Sequence, residues 1–257
     1  MATVRNVRAA APQTHAFRET LMNDRFNSQP TMYGQRYAGA TVARNKVLRN
    51  TYLLLAISLV PTVLGAWAGL ASGMAQWMML NPGMGMLLFF GGAFGLMFAI
   101  QRNNTSGLGI ALLLGFTFFM GLMMSQLLSI VLGLANGVQL IALAFGGTAI
   151  IFGAMASLAT VVKRDLSGLT KFLFIGAVML MIVGVANIWL QLPALVIMFS
   201  VVAIGIFSAF MMIDVRRVLD GGETNYISAT LAIYLDLYNV FVNLLSLLSI
   251  FAGGSRR

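Results

Sequence analysis

The chain has 257 residues, of which 59% are apolar and only 9% charged, whereas an ordinary soluble domain is about half apolar and roughly a quarter charged. A water-soluble fold could not cover its surface with so few charges. With no cysteine and one histidine, His15 in a polar stretch, the sequence excludes a disulfide frame, a thiolate metal site and an intramembrane imidazole cluster or serine–histidine pair. The net charge of +9 is concentrated in one terminal segment and a few short turns. Membrane topology accounts for that placement better than a nucleic-acid partner, which needs basic residues spread over a folded face.

Residues 1–46 carry Arg5, Arg8, Arg18, Arg25, Arg36, Arg44 and Lys46 among small polar residues with little apolar periodicity, and are predicted to form a flexible basic cytosolic tail. This composition also suits a mitochondrial presequence, although Glu19 and Asp24 interrupt it. Apolar stretches follow near 51–72, 84–101, 107–133, 138–162, 169–190, 193–215 and 227–252. Each approaches or exceeds the ~20 residues a helix needs to cross the hydrocarbon core. The prediction is an all-α membrane protein, with a seven-helix transmembrane domain over 47–254 and a short basic end at 255–257.

The basic residues orient these spans. Eight precede the first span, Arg102 lies between the second and third, Lys163, Arg164 and Lys171 border the fourth-to-fifth turn, and Arg216 with Arg217 border the sixth-to-seventh. The alternate turns near 73–83, 134–137 and 190–193 contain none, which places the amino terminus in the cytosol by the positive-inside rule. Trp67, Trp77 and Trp189 map to the opposite boundary, where indole rings favour headgroup level. Arg256 and Arg257 break the pattern, so the seventh segment either crosses fully despite them or is re-entrant.

Gly65-x-x-x-Gly69, Gly91-x-x-x-Gly95, Gly146, Gly147 and Gly153 are predicted to let helices approach closely, without a further role. Pro61 lies inside the first span and should kink it, while Pro82 and Pro193 should begin helices, where a missing N–H is harmless. The eighteen methionines are scattered through the spans, as adaptable packing residues rather than copper ligands.

The seventh segment differs from the others. Ser228, Asp236, Asn239, Asn243 and Ser246 fall near one stripe of a 3.6-residue helix. A lipid-facing helix would not carry that stripe, so this segment is predicted to be central, its polar edge toward a partner or a water-filled cavity. Asp236 is the one charged side chain between Glu223 and Arg256. A carboxylate at that depth costs about 2.5–3.5 kcal/mol on insertion scales, so it calls for a partner or a function. The turn at Gly221-Gly222 folds the last two helices back and brings Asp214 to comparable, if unequal, depth. If the two carboxyls meet they cannot both ionise cheaply, and they titrate as a pair. The alternative is that Asp214 pairs with Arg216, Arg217 or Arg102 while Asp236 only hydrogen-bonds a neighbouring helix.

The runs GGETNYISATLAIYLDLYNVFVNLLSLL at 221–248, NKVLRNTYLLLA at 45–56 and KRDLSGLTKFLFIGAVML at 163–180 resemble the Bax inhibitor-1, or transmembrane Bax inhibitor motif, family, closest to its bacterial YccA-like branch. The resemblance covers about 45–254. It implies a seven-helix fold with the last helix at its centre and a pH-sensitive calcium leak set by two aspartates, whose positions here are Asp214 in MMIDVRR and Asp236 in YLDLYN. It also implies an arginine latch on that pair, for which Arg102 is the nearest equivalent.

Three functions compete on these grounds. A calcium leak channel of the bacterial inner membrane would use Asp214 and Asp236 as sensor and transient ion site, helped by Asn239, Asn243, backbone carbonyls or water, since calcium takes six to eight oxygens. No resident cofactor or metal site is expected beyond such transient calcium. A regulatory membrane protein would instead bind a membrane-anchored ATP-dependent AAA protease of the FtsH type, as the resemblance to YccA-like members implies, and the basic tail suits such engagement. An intramembrane aspartyl protease is disfavoured because its Gly-x-Gly-Asp signature is absent: Asp236 follows Ile233-Tyr234-Leu235 and Asp214 follows Met211-Met212-Ile213. The chain is therefore expected not to be an enzyme, and to have the lipid bilayer rather than nucleic acid as its surroundings.

Overall fold

A computed structural model describes residues 44–162 and 166–254. Most of the basic tail, with His15, lies outside the described residues, as do Lys163, Arg164, Arg256 and Arg257. The chain divides into two units, Met1–Asn45 and Lys46–Arg257, and the bundle is the second.

Among the described residues seven helices are long and apolar enough to cross a membrane, and a short one lies between the first two. They are α1 (Arg44–Ala71), α2 (Met74–Leu80), α3 (Pro82–Arg102), α4 (Gly107–Leu132), α5 (Gly137–Val161), α6 (Ser167–Leu190), α7 (Pro193–Leu219) and α8 (Tyr226–Gly254). Where lipid offers no hydrogen bonds, a chain satisfies its backbone within helices. The stops and starts have local causes. Gly73 takes the left-handed conformation (φ 76°) that ends α1, and Gly221 (φ 77°) does the same after α7. Pro82 and Pro193 begin α3 and α7 as expected. Asn225 caps α8, its Oδ1 accepting from the Ile227 and Ser228 amides at 2.9 and 3.2 Å.

α8 is one unbroken helix of 29 residues, about 44 Å at 1.5 Å per residue. It is long enough to cross a membrane, and it does not turn back on itself as a re-entrant segment would. Half of its membrane-length window is buried, the largest share of the seven spans. Side chains tie it to its neighbours on several sides. Thr230 donates to the Thr51 carbonyl of α1 (3.3 Å), Tyr238 to the Met120 carbonyl of α4 (3.2 Å), and Asn225 to the Asn104 carbonyl in the α3–α4 turn (2.7 Å). α7 packs along α8 over an extensive contact.

Two apolar clusters form the core. One gathers Leu54, Ile100, Phe116, Ile233 and Tyr234; the other gathers Ala66, Leu128, Val131, Ala144 and Leu245. On α8 they are separated by the stretch that contains Asp236, Asn239 and Asn243. Between α1 and α4 the backbones come very close: a Cβ at Gly65 would collide with the Phe118 carbonyl, and one at Gly121 with the Thr62 carbonyl. The expectation for Gly91-x-x-x-Gly95 does not hold, because both positions face open space and it is Gly92 that makes room for the Phe119 ring. The close contact is one residue out of register with the motif. Gly147 packs against Leu244, whereas Gly146 and Gly153 are open.

Candidate functional site

The site is built where the end of α7 passes the first half of α8. Asp214 lies five residues before the end of α7 and Asp236 ten residues after the start of α8. At 1.5 Å per residue these are depths of roughly 8 and 15 Å, unequal, as two antiparallel helices joined by a short turn require. The structure nevertheless brings the two carboxyl groups near enough to interact electrostatically. Asp236 is only 5% exposed, and its Oδ2 is buried with no hydrogen-bond partner. Buried polar atoms are nearly always bonded, so such an orphan oxygen calls for an explanation.

On its outer side, Asp214 meets a cation. Arg217 Nη1 lies 3.6 Å from Asp214 Oδ1, with the arginine half exposed. This is a loose contact of the kind worth little at a surface. Arg102, the latch candidate, is exposed at the end of α3 and makes no ion pair with either aspartate among the described residues. Its neighbour Gln101 is the group that reaches α8, accepting from Ser228 Oγ at 3.1 Å. One half of the sequence alternative is present, an arginine beside Asp214, while no hydrogen bond from the Asp236 side chain to a neighbouring helix is seen among the described residues.

The polar stripe continues away from the pair. Asn239 and Asn243 turn their amide nitrogens back onto the carbonyls of Leu235 and Asn239, each at 2.8 Å. Each spends one amide N–H within α8, which leaves the amide oxygens as acceptors along the same stripe as Asp236. Two carboxyls in contact can share a proton, and the carboxylate and amide oxygens are the hard donors calcium prefers. No group of three or more metal-binding side chains exists among the described residues. Any calcium would therefore be held by two carboxylates with amide, backbone or water oxygens.

Sequence reasoning did not single out the tyrosines beside this site. Tyr234, 1% exposed, packs edge-on against Phe116 with ring centroids 6.1 Å apart. Its hydroxyl is 2.9 Å from Thr62 Oγ1, and since Thr62 donates to the Ser58 carbonyl at 2.8 Å, the phenol proton points to Thr62. The signal was an i, i+4 pair of tyrosines flanking Asp236, Tyr234 and Tyr238. Buried phenols need partners, so the pair implied polar atoms on facing helices.

A central polar helix enclosed by apolar spans, carrying a carboxyl that meets a second one on its neighbour, defines a multi-pass all-α membrane protein with an intramembrane ionisable pair. Residues 44–253 match the family described as Inhibitor of apoptosis-promoting Bax1, and the chain belongs to that family, in its bacterial branch. It is 38% identical over 207 residues to the Modulator of FtsH protease YccA of Escherichia coli K12, covering 80% of this chain and 91% of that protein. A protein of Neisseria meningitidis serogroup B is 36% identical over 219 residues, 82% of this chain and 94% of its own. A membrane protein of Vibrio cholerae is 32% identical over 210 residues, 82% and 92% of the two chains.

Proposed function

We propose that this chain is a non-enzymatic regulator of the bacterial inner membrane that binds and modulates a membrane-anchored ATP-dependent protease of the FtsH type. The observation that carries this reading is the 38% identity to a modulator of FtsH protease, which extends over nine-tenths of that relative. An inner-membrane protein of a second E. coli strain, equally similar, supports the same location. In this reading the amino terminus is cytosolic and the basic residues before Lys46 offer the protease a contact separate from the bundle.

The test is reconstitution. The purified chain in proteoliposomes with FtsH should change the rate at which the protease degrades a membrane substrate, and deletion of residues 1–40 should weaken that change while leaving the bundle folded. An unchanged degradation rate at saturating amounts of the chain would sink the reading.

A second reading is favoured by one observation, the meeting of Asp214 with a buried Asp236 whose Oδ2 has no partner. In it the two aspartates share a proton and pass calcium weakly, as a pH-sensitive leak. Calcium flux into proteoliposomes from about pH 6 to 8 tests it. Asp214→Asn and Asp236→Asn should each flatten the pH profile, and the double mutant should add little to either single mutant, because coupled sites are strongly non-additive. If both single mutants keep the wild-type profile, the pair is not the sensor.

A further inference from the structure

A cleft of about 260 Å³ opens between the start of α6 and the end of α7, lined by Leu166, Ser167, Thr170, Ile213, Arg216, Arg217 and Asp220. It belongs to neither reading above. Two arginines and one carboxylate line it, and Arg216 Nε holds that carboxylate, Asp220 Oδ2, at 2.8 Å. The Nη1 of Arg216 reaches the Ala159 carbonyl at 3.4 Å, and Thr170 Oγ1 donates to the Leu166 carbonyl at 2.9 Å. A guanidinium has five N–H donors. Arg216 and the half-exposed Arg217 therefore keep donors beyond the contacts they make. Lys171, exposed, stands one helical turn beyond Ser167 on the same side of α6.

We propose that this cleft binds the phosphate of an anionic membrane lipid, held by Arg216 and Arg217. Planar guanidinium groups match phosphate oxygens in pairs, which suits a diester headgroup. The position favours a lipid over a free anion. α6 is the least buried of the seven spans, and immediately beyond the cleft it exposes Phe172, Phe174 and Ile175, against which acyl chains would lie. A basic pocket between helix ends, opening on an apolar face, presents the charge and the grease of a phospholipid in the right order. Arg217 is also the cation nearest Asp214, so a headgroup and that carboxyl compete for one guanidinium.

The full chain in a neutral detergent, titrated with short-chain phosphatidylglycerol, phosphatidylcholine or inorganic phosphate and read by native mass spectrometry, tests the site. Phosphatidylglycerol should bind more tightly than phosphatidylcholine. Arg216→Gln and Arg217→Gln should each cut that preference by about fivefold, a basic residue near the surface being worth that much, while Arg102→Gln should leave it intact. If Arg216→Gln does not fold, Arg217→Gln alone decides, because it spares the Arg216–Asp220 pair. An unchanged preference in Arg217→Gln overturns the proposal. So does displacement of phosphatidylglycerol by an equal concentration of inorganic phosphate, which would make the occupant a free anion.

Discussion

α8 and α6 are both longer than a bilayer requires, yet they are opposites. α8 has the lowest mean hydropathy of the seven spans and is the most buried; α6 is among the most apolar and is the least buried, at 11% of its window. In a soluble protein that order would be reversed. In lipid, apolar side chains gain nothing by moving inward, so what draws a helix to the centre is polarity that the acyl chains cannot satisfy. α8 brings Thr230, Tyr234, Asp236, Tyr238 and Asn243 inside, and α1 and α4 supply carbonyls and hydroxyls to meet several of them. α6 gives lipid Phe172, Phe174, Ile175 and Ile182.

The largest test of that contrast is Tyr234→Ala. It empties a fully buried aromatic site on α8 and should cost about 3–5 kcal/mol of stability, read by unfolding in mixed detergent micelles. A cost below 1 kcal/mol would show that the bundle centre collapses readily and is not closely packed. Next comes the seam between α1 and α4. Gly121→Val drives a side chain into the Thr62 carbonyl and should cost about 1–3 kcal/mol, while Gly115→Val on the same helix meets open space. Equal losses at the two glycines would refute a close α1–α4 approach.

Tyr234→Phe isolates the hydroxyl from the ring. It removes the bond to Thr62, which keeps its own bond to Ser58, so the expected loss is about 1 kcal/mol. A neutral result would mean the phenol is not bonded in the folded protein. The smallest effect belongs to α6: Phe174→Ala, on its lipid face, should change stability by no more than about 0.5 kcal/mol. A loss comparable to that of Tyr234→Ala would mean that a partner, and not lipid, covers that helix.

The spans were legible because a run of twenty apolar residues has few other uses. Their ends were less so: α1 is already helical at Arg44, the first described residue and seven residues before its apolar run, because a helix needs only hydrogen bonds to continue into polar surroundings. The short helix α2 went unread between Gly73 and Pro82, since its seven residues are too few to register against the spans around them. The stripe on α8 was legible from its period, and it led to the centre of the bundle. The cation beside Asp214 was legible only as one of three: the spacing offered Arg216, Arg217 or Arg102, the resemblance pointed to Arg102, and the structure puts Arg217 there, three residues along the same helix. The Thr62–Tyr234 bond spans 172 residues of sequence, and nothing at either end names the other.

The position of α8 also sets an order of events at the ribosome. The helix that fills the centre follows, in synthesis, every helix that encloses it. Until it is inserted, Thr62 and the carbonyls of Thr51 and Met120 lack the α8 side chains they meet in the finished bundle. The nascent protein thus awaits its axle, and truncation just ahead of Tyr226 would spare α1 to α7 while removing the element that joins several of them.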